Sequence, residues 1–109
     1  MPDLPEPSPD LIALQRAYDR AHAAASAYAD AVTAERRALH PDPDTGWDPK
    51  QAALRNAWPV EQADQLTRLQ AERLTALKAL TGHPEVAAAR YNGTLKSLRA
   101  RLQDLAQDH

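Results

Sequence analysis

Cysteine and phenylalanine are both missing from this chain, aromatic residues make up only 5%, and glycine occurs three times. Each shortage removes a class of chemistry. Without cysteine there are no disulfides, no thiolate metal sites and no thiol nucleophile. Gly46, Gly82 and Gly93 stand apart from one another, so no glycine-rich phosphate loop can form. Ser8, Ser26 and Ser97 are the only serines, and none lies on a nucleophile-elbow sequence. No apolar run approaches the ~20 residues of a membrane span. The start, "MPDLPEPSPD", has neither the basic lead nor the apolar body of a secretory leader. The expectation is a cytoplasmic protein. A basic excess is also lacking: net charge is −2 with 26% charged residues, unlike domains built to coat nucleic acid.

What is present is alanine and leucine, which supply most of the 43% apolar content. These are the strongest helix formers among apolar residues, while the strand-favouring valine, isoleucine and aromatics are scarce. The fold class is therefore all-α. At 109 residues the chain makes one domain with a single core.

Residues 1 to 8, "MPDLPEPS", read as a proline-rich disordered tail, and residues 9 to 109 as the helical domain. Pro2 and Pro5 have PxxP spacing without the flanking basic residue that adaptor domains read. Ser8, Pro9 and Asp10 then make a helix start: cap, first-turn proline and dipole-matched acid. Leu11, Leu14, Tyr18, Ala21, Ala25, Tyr28, Val32, Glu35 and Leu39 follow at alternating steps of three and four, a heptad seam predicting a helix over 9–39. Ala17, Ala24, Ala31 and Ala38 form a second column beside it, so the stripe is wide.

A second helix is expected over 49–81, kinked or broken near Pro59, which removes a backbone donor and clashes with the preceding turn. Its apolar face is Val60, Ala63, Leu66, Leu69, Leu74, Leu77 and Leu80. Gly82 is the expected left-handed cap, and Pro84 opens a third helix over 84–107. The seam of that helix, Ala88, Tyr91, Leu95, Leu98, Leu102 and Leu105, keeps phase across Asn92–Gly93 and predicts continuity. Gly93 then reads either as a hinge or as a close approach to a bulky neighbour such as Tyr18 or Tyr28. The architecture expected is an antiparallel three-helix bundle, or a long helical hairpin with coiled-coil-like packing.

The most chemical-looking stretch is "HPDPDTGWDPKQ", with His40, Asp42, Asp44 and Asp48. A calcium loop starting at Asp42 would need a ligand, a glycine and a glutamate where Gly46, Trp47 and Ala53 stand. Its residues have helix-punctuation uses instead: Pro41, Pro43 and Gly46 turn the chain, Asp48 caps, Pro49 begins the next helix, and Trp47 can staple onto Ala52 or Ala53. No metal and no cofactor are expected. Asp19 and His22 form half a helical metal site, but later helices offer no second carboxylate–histidine pair.

Glu35, Arg36, Arg37 and Leu39, an "ERR-x-L" ending on a long first helix, resemble the all-helical chorismate mutases, as do the size and three-helix plan. The resemblance covers about the first third of the chain. It implies an enzyme in which Arg16, Arg36 and Lys50 converge on substrate carboxylates. Their separations are longer than the family pattern, and the family's later glutamate and glutamine have no clear counterparts.

The leading expectation is a non-enzymatic helical protein–protein interaction module, a homodimer or the partner of another helical chain. Its interface is placed at Tyr18, Ala21, Ala24, Ala25, Tyr28, Ala31 and Val32. The runner-up is nucleic-acid or acidic-partner association through Arg90, Lys96, Arg99 and Arg101. A chorismate-mutase-like enzyme ranks third.

Overall fold

The computed structural model describes residues 6–107. Residues 1–5 and 108–109, the Pro2–Pro5 spacing among them, lie outside the described residues. Five helices and no strand occur within that span: α1 (Pro9–Leu39), α2 (Pro49–Asn56), α3 (Val60–Thr81), α4 (Pro84–Asn92) and α5 (Leu95–Gln107). The chain is all-α.

Local chemistry accounts for most boundaries. Ser8 Oγ accepts from the Leu11 N–H at 3.2 Å and Pro9 opens α1. Asp48 accepts from the Lys50 N–H at 2.9 Å ahead of Pro49 in α2. Pro59 breaks the second segment, ending α2 at Asn56 and starting α3 at Val60. Trp47 makes a poor staple, because alanine methyls are too small to cover an indole; it is 70% exposed. Residues 6 to 8 are not tail: Glu6 pairs with Arg101 at 3.3 Å, Pro7 is buried and Ser8 caps α1.

Two glycines behave otherwise than their sequence context predicts. The third helix is not continuous. Gly93 adopts φ +76°, the Thr94 N–H donates to the Ala89 carbonyl at 2.9 Å, and α4 stops there. This left-handed glycine terminator satisfies carbonyls that a continuing helix would have used. A shared heptad phase could not outweigh it. A Cβ on Gly93 would meet nothing within 4 Å, so close packing against a tyrosine is not the reason for glycine. Gly82, by contrast, is right-handed at φ −84°. Its N–H closes on the Lys78 carbonyl at 2.9 Å, and an added Cβ would lie 3.0 Å from that oxygen.

α1 and α3 pair antiparallel. Gln62 near the start of α3 donates to Glu35 near the end of α1 at 3.0 Å, and Leu80 joins Leu11 in the core at the opposite end. That core gathers Leu11, Leu80, Val86, Ala89, Leu98 and Leu102, flanked by Ile12, Leu14, Tyr18 and Leu95. It forms a head where α4 and α5 fold back on the pair. The protein measures 63 × 28 × 27 Å, with a radius of gyration of 19.7 Å. A compact chain of this length would have about 13 Å.

Candidate interaction surface

The residues placed at an interface from the sequence divide into two groups. Ala25 and Val32 are buried, each 3% exposed, while Tyr18, Ala21 and Tyr28 are half-buried. α3 covers this line, so the heptad seam is used within the chain. Ala24, Ala31 and Ala38 are exposed. From Ala24 onward the alanine column therefore lies on an uncovered flank of α1, while Ala17 is half-buried.

A second uncovered flank belongs to α3. Its line toward α1 runs through the less exposed positions Gln62, Leu66, Leu69, Arg73, Ala76 and Leu80. Ala63, Gln70, Leu74 and Leu77 lie to one side of that line at helical spacing, and Leu74 and Leu77 remain 49% and 36% exposed. The sequence marks these residues as apolar but does not reveal that α1 covers only part of a face so wide.

α5 explains why the flank stays open. It leans on α1, where Arg16 donates to the Leu105 and Ala106 carbonyls at 3.2 and 3.4 Å and so ties down the end of α5. Between α5 and α3 is a cleft of about 200 Å³, with Leu77 and Thr81 on one wall and Leu95, Leu98 and Leu102 on the other. The leucine flank of α3 thus faces the α5 side, and the alanine flank of α1 faces the opposite side. With 13 residues, α5 spans ~20 Å against ~46 Å for the 31 residues of α1. Past its end, only the short α2 packs on the α1–α3 pair, against α1 at the far tip.

Several of the remaining polar candidates have structural partners. Arg36 Nη2 donates to the Leu54 and Ala57 carbonyls, the latter at 3.1 Å, closing the end of α2. Arg55 Nη1 bonds the His40 carbonyl at 2.9 Å and the Asp42 carboxylate at 3.0 Å. Asp19 accepts from Gln15 at 2.9 Å, and His22 stacks on Tyr18 with centroids 5.9 Å apart. Arg16 and Arg36 serve opposite ends of the molecule and Lys50 is exposed on α2, so the three do not converge as the chorismate-mutase resemblance implies. The basic group is likewise divided: Arg90 lies on α4, while Lys96, Arg99 and Arg101 lie on α5, with Arg101 engaged by Glu6.

Among the described residues no helix is long and apolar enough to cross a membrane. No family model, curated protein or solved structure matches the chain.

Proposed function

We propose that this chain is a non-enzymatic, cytoplasmic helical protein–protein interaction module whose long helix pair, a coiled-coil-like hairpin with α4 and α5 as its head, docks on another helical chain. The observation that carries this reading is the open leucine flank of α3, beside a cleft with apolar walls. Its magnitude is sufficient. Fully burying a leucine contributes about 1.5–3 kcal/mol, whereas exposed ion pairs contribute about 0–1 kcal/mol each. The surface area agrees: a compact 12.0 kDa monomer would expose about 6,000 Å², and this chain exposes 7850 Å². The excess is larger than the ~800 Å² each partner gives to a standard interface.

The test is association at about 0.1 and 1 M salt, measured by sedimentation of the pure protein and by capture from native extract. Apolar docking survives the higher salt and is lost when the bait carries Leu74→Arg. Nucleic-acid association through Arg90, Lys96, Arg99 and Arg101 would instead collapse with a steep salt slope. If the wild type retains no chain, its own copies included, the reading fails.

A further inference from the structure

We infer that the occupant of the open α3 flank is a second copy of this chain, docked α3 against α3 in an antiparallel, two-fold register centred on Gln70. This rests on the reading as an interaction module and narrows it to self-pairing through one face.

The first reason is the spacing of the flank. With Leu66, half-buried on the edge nearer α1, the row Ala63, Leu66, Gln70, Leu74 and Leu77 is separated by steps of three, four, four and three, the same read in either direction. An isologous contact needs this, because each residue of one copy must meet the mirrored position of the other. Leu66 then faces the partner's Leu74, Ala63 faces the partner's Leu77, and Gln70 meets the partner's Gln70 on the axis. No charged residue interrupts the row. The primary amide of glutamine both donates and accepts, so two copies can bond each other across the axis. A single polar residue in an otherwise apolar seam is also a known means of fixing register.

The second reason is charge. Asp64 and Lys78 border the row on its outer side, and among the described residues neither side chain has an ion-pair partner. In the proposed register, the partner's Asp64 falls within one helical turn of Lys78, and the two-fold axis repeats the pairing at the other end. The third reason is the fit at the head. Val60 is 71% exposed, and the same register carries the partner's Val60 alongside Leu80 and Thr81, toward the mouth of the cleft between α3 and α5.

The experiment exploits the absence of cysteine from the chain. Gln70→Cys introduces one thiol on the proposed axis, and Ala24→Cys places one on the opposite face as a control. The wild-type chain should rise from 12.0 kDa toward twice that mass as concentration increases in light scattering. Under mild oxidation Gln70→Cys should form a linked dimer well before Ala24→Cys. Leu74→Arg should stay helical and monomeric. Should Leu74→Arg fail to fold, the solvent-facing charge swap decides. Gln70→Glu and Gln70→Lys should each weaken self-association by about tenfold or more, and mixing them should restore it. A dimer that survives Leu74→Arg, or one linked by Ala24→Cys and not by Gln70→Cys, pairs through another face and overturns the inference while leaving an interaction module. A monomer at about 100 µM, well above common working affinities, also overturns it. Salt-resistant capture of a different chain by the wild type alone would then keep the broader reading, and failure of that capture would remove both.

Discussion

Glu85 lies in the first turn of α4, yet its carboxylate accepts from the backbone N–H of Ser8 at 3.2 Å and from its hydroxyl at 3.1 Å, across 77 residues. In an ordinary capping box the acid comes from the third residue of the same helix; here that position is Leu11 and a different helix supplies the carboxylate. Glu85→Ala should cost about 1–2 kcal/mol by urea denaturation, since a partly buried donor loses a charged partner. Asp48→Ala should cost about 1 kcal/mol through loss of the α2 cap. Asp44→Asn should be near neutral, and Asp42→Asn should cost less than about 1 kcal/mol because its bridge to Arg55 is half exposed. Asp48 was legible as a cap because its signal is local, an aspartate followed by proline. Glu85 was not, because nothing near residue 85 indicates that its partner is Ser8.

Gly93 poses the sharpest question for the elements. Within a continuous helix, replacing it with alanine would stabilise the protein by about 1 kcal/mol. In the left-handed terminator observed, the same replacement should destabilise it by about 1 kcal/mol or more, because a Cβ strains that backbone even with no atom nearby. The sign of the change in thermal or urea unfolding therefore separates the two arrangements. Helix starts and the break at Pro59 could be read from the sequence, since proline acts on the chain whatever surrounds it. The α4–α5 break depended on a contest between heptad phase and the Asn92–Gly93 turn signal. Periodicity describes which residues could share a face, and terminator geometry decides whether they do.

For the whole molecule, the elongated shape should be measurable. Small-angle scattering on a monomeric variant such as Leu74→Arg should give a radius of gyration near the 19.7 Å seen here, and a value close to the compact ~13 Å would contradict the open pair. DNA and RNA should bind only weakly near physiological salt, with Kd above about 10 µM, by fluorescence anisotropy. A submicromolar complex lost on reversing Arg99 and Lys96 would restore nucleic acid as the partner. The width of the apolar stripes was legible in the sequence, and with it the need for more than one neighbour per long helix. Which stripe would stay open was not. That depends on the length of α5 and on its leaning toward α1, both consequences of the break at Gly93 and the Arg16 tie.

The positions of those ties along the chain also imply an order of assembly. Arg36 joins carbonyls only 18 and 21 residues away, whereas the Ser8–Glu85 and Arg16–Ala106 ties at the head span 77 and 90 residues. Closing a longer loop costs more entropy before any contact repays it. The tip is thus expected to form first and α1 and α3 to zip toward the head, where both ends of the chain are added last. Stopped-flow kinetics would expose this as an asymmetry: Arg36→Ala should chiefly slow folding, and Glu85→Ala should chiefly hasten unfolding. During synthesis the order has a further effect. α1 is complete before any of α3 exists, so its apolar seam must wait for the ribosome to deliver the helix that covers it.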